Sequence, residues 1–186
     1  MFKSLSYDLN EVVKLFRQRK LFDLRGLSSR LVKEAAIENN FAKAELGIIA
    51  YSLHKLGSKS HFVNDPDWPK VKSIIVTNLE SASFAAENHK NDVFLSKIKN
   101  VISQIVKIDS EIGNYAQNIY DKAKVKQASS AYSYGLSVSQ AAALTGANKK
   151  ELQEYIGFTK MVDEETEVKT IVTRVRELKK ILGGSK

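Results

Sequence analysis

Apolar residues recur at spacings of three and four along most of the chain, the period of a helix with one buried face. Asp8 and Glu11 are expected to cap a first helix that runs to about Arg19, with Val12, Leu15 and Phe16 as its stripe. After a break near Lys20–Phe22, Leu24, Leu27, Leu31 and Ala35 mark a second helix over about 23–38. Glu38-Asn39-Asn40 reads as a turn, and Leu46, Ile49, Leu53 and Leu56 mark a third helix over about 41–56, stopped by Gly57. Residues 58–67 are polar and read as a loop rich in turn formers. Asp67 is then expected to cap a fourth helix, with Pro69 in its first turn and Ile74, Ile75, Leu79, Ala82 and Ala86 on its buried face. A break at Asn88–Asn91 leads to a fifth helix from about Asp92, through Phe94, Ile98, Ile102, Ile105 and Ile112. Gly113 either interrupts it or lies inside a helix that continues toward Ala131.

No strand-like alternation persists anywhere, so the predicted fold class is all-α. An N-terminal antiparallel helical bundle over 1–113 is expected, followed by a second region over 114–186. Leu46-Gly47 and its small neighbours faintly resemble a tetratricopeptide hairpin. No second copy appears at that repeat's period, which argues against a repeat array.

The second region holds the most informative stretch, Leu136–Gly157. Gly135 is suited to end the helix before it. Ser137 and Gln140 fit a capping box, in which each side chain satisfies the other's backbone amide. A short helix over Val138–Leu144 follows, and Ala141, Ala142 and Ala143 let a neighbour pack closely. Thr145-Gly146-Ala147 makes the turn. Asn148 and Glu151 open a second helix, Lys149–Ile156, which Gly157 is expected to close. Two capped helices joined by a three-residue turn with a central Gly read as a helix-turn-helix. Val138, Leu152, Tyr155 and Ile156 supply its apolar side. Asn148, Lys149, Lys150 and Gln153, with Glu154 beside them, would point outward. Asn and Gln suit adenine edges, and Lys suits guanine or phosphate. Against this stands the plainer reading that any tight helical hairpin needs caps, a Gly and small residues, while the acidic Glu151 and Glu154 count against contact with DNA and favour docking of a protein.

Leu136-Ser137, Ala141-Ala142-Ala143-Leu144, Gly146, Glu151-Leu152 and Tyr155 resemble the helix-turn-helix of small prokaryotic antitoxin-like regulators. The resemblance covers about residues 125–160 and implies double-stranded DNA as partner. Asn148-Lys149-Lys150 departs from that pattern at the start of the second helix. The whole chain also looks like a class of archaeal helical proteins, which implies no activity.

Charge points the same way. A net charge of +8 favours an anionic partner, although many basic proteins only solvate such charges. Lys122, Lys124 and Lys126 before the motif, and Lys160 after it, are candidates for holding phosphate. Tyr120, Tyr132 and Tyr134 lie among them and are more often packing residues. Arg17, Arg19, Lys20 and Arg25 form a second basic group at the first helix junction. A last helix over about 164–182, capped by Asp163, carries Val168, Ile171, Val175, Leu178 and Leu182 in a short heptad pattern. It either pairs with its own copy in a homodimer or packs back on the bundle.

Nothing in the sequence marks an enzyme. His54, His61 and His89 are scattered, there is no Cys, and no phosphate-binding, dinucleotide or nucleophile-elbow motif occurs. No catalytic residue, metal site or cofactor is expected. No segment is apolar enough to span a bilayer, and a cytoplasmic protein is expected, nucleoid-associated if it binds DNA. The expected function is a non-enzymatic DNA-binding regulator whose bundle carries dimerisation or binds a protein partner. The alternative is an interaction scaffold whose helix-turn-helix docks protein. RNA binding lacks the aromatic stacking platform it would need.

Overall fold

A computed structural model describes residues 2–112 and 118–166. The described residues are helical, with no strand among them, and the protein is all-α. The helices are α1 (Phe2–Arg17), α2 (Leu21–Glu38), α3 (Phe41–Ser58), α4 (Ser60–Val63), α5 (Trp68–Glu87), α6 (Asn91–Ile112), α7 (Ile119–Ser133), α8 (Val138–Thr145) and α9 (Lys149–Thr166). The chain divides into one compact unit ending at Leu152 and a second from Gln153 onward. The division expected after residue 113 falls inside the first unit.

α2 and α3 run antiparallel, because Ser28 meets Gly47 while Leu21 meets Gly57. α1 and α5 pair the same way, since Ser6 meets Ser83 and Phe16 meets Trp68. α5 packs on α6, and α7 packs on α3 and α2. The shared core includes Leu9, Val12, Phe16, Leu31, Leu53 and Ile75, all essentially inaccessible to water.

Three corners of the bundle are built alike. Lys20 donates its backbone N–H to Leu15 O, Asn40 to Ala35 O and Lys90 to Ala85 O, at 2.9–3.0 Å. The residue before each is left-handed: Arg19 at φ 55°, Asn39 at 50° and His89 at 56°. These bonds satisfy the free carbonyls at the helix ends, and the next helix starts immediately.

Several expected boundaries are corrected by packing. α1 begins at Phe2, because Leu5 and Leu9 extend its stripe toward the N-terminus. Asp8 and Glu11 therefore cap nothing. They lie mid-helix and face Arg30 of α2, at 3.1 and 2.7 Å. Arg30 also holds Glu34, at 3.1 Å. Lys43 of α3 reaches Glu34 at 2.8 Å and Glu38 at 2.9 Å, so one charged network ties three helices. Gly57 does not stop α3, which runs to Ser58. A Cβ there would lie 2.7 Å from Leu21 Cδ2, so the missing side chain lets α2 approach. The polar stretch after it contains α4, which buries Phe62 completely. Asp67 makes no side-chain cap to α5; its own N–H is taken by Asp65 Oδ1 at 2.8 Å.

α6 and α7 are separate helices rather than one. Asn118 caps α7 by accepting from Asp121 N–H at 2.8 Å. The buried carboxylate of Asp109 on α6 accepts from Ile119 N–H, which anchors the start of α7. Gly157 does not close the last described helix either. α9 continues through it to Thr166, and Asp163 lies within α9 instead of capping a new helix. The rest of the expected 164–182 helix, with its heptad stripe, lies outside the described residues. No helix among the described residues is long and apolar enough to cross a membrane.

Candidate helix-turn-helix surface

α7 ends at Ser133, and Gly135 takes φ +102° just beyond it. The capping box then forms as its residues require. Ser137 Oγ accepts from Gln140 N–H at 3.2 Å, and Gln140 Oε1 accepts from Ser137 N–H at 2.9 Å. α8 is short and packs on α7, reaching α3 and α2. Ala141, Ala142, Leu144 and Thr145 are buried, and the Thr145 hydroxyl donates back to Ala141 O at 2.8 Å.

Gly146 ends α8 at φ +64°, a left-handed backbone that strains any residue with a Cβ. Ala147 N–H donates to Ala142 O at 3.2 Å, the same closing bond as at the bundle corners. Asn148 Oδ1 accepts from Lys150 N–H at 2.9 Å and Glu151 N–H at 3.3 Å, which caps α9. Leu152 on the first turns of α9 is fully buried.

Asn148, Lys149, Lys150 and Gln153 are all exposed. Lys149 and Gln153 lie one turn apart on a single face of α9, and Lys150 and Glu154 lie one turn apart on the next. Asn148 has its carbonyl oxygen committed to the cap. As folded it presents only its Nδ2, so it cannot offer the paired donor and acceptor that adenine requires. Glu151 and Glu154 are exposed beside the lysines. Glu151 sits in the first turn of α9, where the helix dipole favours a negative charge. Lys160 belongs to α9, and its side chain falls outside the described residues.

The lysines of α7 are not brought to one face. At about 100° per residue, Lys122 and Lys126 are about 40° apart, whereas Lys124 lies about 200° round from Lys122. Lys122 is exposed and Lys126 half-buried. Lys124 is engaged locally, 3.1 Å from Asp121 Oδ1 and 4.8 Å above the Tyr120 ring. Tyr120 is a packing residue. It is buried, and its hydroxyl donates to Glu45 Oε1 on α3. Burial, with Glu45 beside it, pushes that hydroxyl well above the ordinary tyrosine range, so it stays a proton donor.

Sequence pattern missed the Glu45–Tyr120 bond, whose partners are 75 residues apart. Neither residue carries a local signal of it. Among the described residues, no three His, Asp or Glu side chains gather where they could hold a metal ion.

The architecture defines the class only as all-α. No protein-family model, curated protein or solved structure matches the chain.

Proposed function

We propose that the protein is a non-enzymatic DNA-binding regulator that lays the first turns of α9 in the major groove. The observation that carries this reading is the pair of capped helices, α8 and α9, turned on a left-handed Gly146. The second helix begins with exposed Lys149 and Lys150 and carries exposed Gln153 one turn on. Helix-turn-helix proteins contact base edges with this end of the second helix. Of the α7 lysines, Lys122 and Lys126 suit a flanking phosphate backbone. Lys124, which lies on another side of α7, and Lys160 are retained as phosphate contacts. A dimer would match a two-fold operator, and a cytoplasmic, nucleoid-associated location goes with this reading. The likeness of residues 125–160 to antitoxin-like regulators supports it as well.

Fluorescence anisotropy with a random-sequence duplex, from low to physiological salt, tests the proposal. Affinity should fall steeply with salt. The Lys149→Ala/Lys150→Ala double substitution should weaken binding and flatten the slope of log K against log salt by about two. No binding even at low salt would refute the reading. It would favour the second one, a protein-docking scaffold, for which the exposed Glu151 and Glu154 speak.

A further inference from the structure

A cavity of about 340 Å³ opens between α1, α3 and α6, on helices the proposed DNA contact does not use. Its floor is core: Leu9 is fully buried, and Leu46, Ile98 and Phe94 nearly so. Its rim is formed by Phe41 and Leu95, which are 57% and 53% exposed although both are large and apolar. One polar side chain stands in this lining, the carboxylate of Glu45. Tyr120 fixes it by donating to Oε1.

No cation pairs with Glu45 among the described residues. Lys43, two positions away on α3, is turned to Glu34 and Glu38. Lys124 lies by the Tyr120 ring and pairs with Asp121. The volume is at the lower end of small-molecule pockets, and an apolar lining with one fixed polar group is their usual composition. A carboxylate against apolar walls gains most from a partner that is positively charged and donates hydrogen bonds.

We propose that this cavity binds a small organic cation, a protonated amine on a compact apolar body, with the ammonium on Glu45 and the body between Phe41, Leu95 and the Leu9–Ile98 floor. The cavity's floor reaches the core instead of running along the surface, which suits a small molecule better than a helix of another protein.

The test uses the full chain and three probes of similar size: 2-phenylethylamine, 2-phenylethanol and 3-phenylpropanoate. Binding is followed by NMR shifts of the Leu46, Ile98 and Phe94 side chains. The amine should bind saturably and at least tenfold more tightly than the alcohol, and the carboxylate should not bind. Glu45→Gln keeps an acceptor for Tyr120 but removes the charge. It should bring the amine and the alcohol to equal affinity. Ala42→Leu, placed in the cavity wall, should abolish binding of both while leaving Glu45 in place. The proposal is overturned if the amine has no advantage in the wild type, if that advantage survives Glu45→Gln, or if the saturating shifts lie elsewhere. Absence of any saturable amine binding overturns it too, and would leave the cavity to a side chain of a protein partner.

Discussion

Gly26 and Gly47 lie on the two helices of one hairpin, and the same substitution at each is expected to have opposite effects. Exchanging Gly for Ala inside a helix is favourable by up to about 1 kcal/mol when nothing else changes. Gly26 meets that condition: it is exposed, and a Cβ there would find nothing within 4 Å. Gly26→Ala should therefore stabilise by roughly 0.5–1 kcal/mol. At Gly47 a Cβ would lie 2.7 Å from Val32 Cγ2 and 3.2 Å from Ser28 O. Val32 is fully buried and, being β-branched, stiff at χ1, so it cannot swing aside. Ser28 O is backbone, and the Ser28 hydroxyl donates to Gly47 O at 2.7 Å, which clamps the two helices at this point. Overpacking of this kind costs about 1–3 kcal/mol. After the propensity gain, Gly47→Ala should lose roughly 1–2 kcal/mol. Urea unfolding reads both changes as shifts of the midpoint at constant slope. A double-mutant cycle with Val32→Ala should show positive coupling, since the smaller side chain makes room for the new methyl. If Gly47→Ala raised the midpoint as Gly26→Ala does, the close approach of α2 and α3 would be dispensable and the reasoning would fail.

Three further outcomes are expected. Glu34 is held below its ordinary range, chiefly by the hydrogen bond from Lys43, so its contribution is present above the unfolded value of 4.5 and lost as pH falls through the folded value. Asp8 is raised by burial, which Arg30 only partly offsets, so its contribution is present below its unfolded value of 3.8 and lost as pH rises through the folded value. Glu34→Gln should thus flatten the loss of stability in acid, and Asp8→Asn should steepen it; equal urea midpoint shifts between about pH 7 and about pH 3.5 in both variants would contradict this assignment. Ser137→Ala removes one half of the capping box and should cost about 1 kcal/mol, seen as faster hydrogen exchange at Gln140 N–H with the core amides unchanged. Arg19→Gly relieves a left-handed backbone worth about 1–2 kcal/mol against an unfolded-state entropy cost of about 0.4–1, so thermal unfolding should move upward by a few degrees, and a downward shift would contradict it.

What could be read in the sequence was local. Ser137 and Gln140, Gly146 and Asn148 act on partners within a few residues, so their types and spacing predict their geometry. The outward set on α9 was legible for the same reason, as a consequence of helical period and a buried Leu152. The same logic failed where the partner is distant. Asp8 and Glu11 look like caps, yet they answer Arg30 about twenty residues on. Gly57 and Gly157 look like stops. One instead admits Leu21 to a close contact, and the other sits in an uninterrupted helix, because a glycine's type does not say which of its uses the fold requires. Arg19 carries no turn signal of its own, although it holds a left-handed corner just as Asn39 and His89 do. Alternate lysines on α7 fan over a wide arc, as the helical period alone requires.

The pairing of α1 with α5 bears on the order in which the chain folds. Ser6 donates to Glu87 at 2.7 Å, which leaves the Ser83 hydroxyl to donate to Ser6 at 2.9 Å, so a buried polar clasp joins residues 77 apart. The Ser28–Gly47 clasp of the α2–α3 hairpin spans only 19. Loop-closure entropy makes the longer connection costlier by about 1.2 kcal/mol. The two hairpins, α2–α3 and α5–α6, can therefore assemble from near neighbours before α1 closes over α5. Substitutions inside the α2–α3 hairpin should then slow folding, whereas Ser83→Ala at the clasp should chiefly speed unfolding.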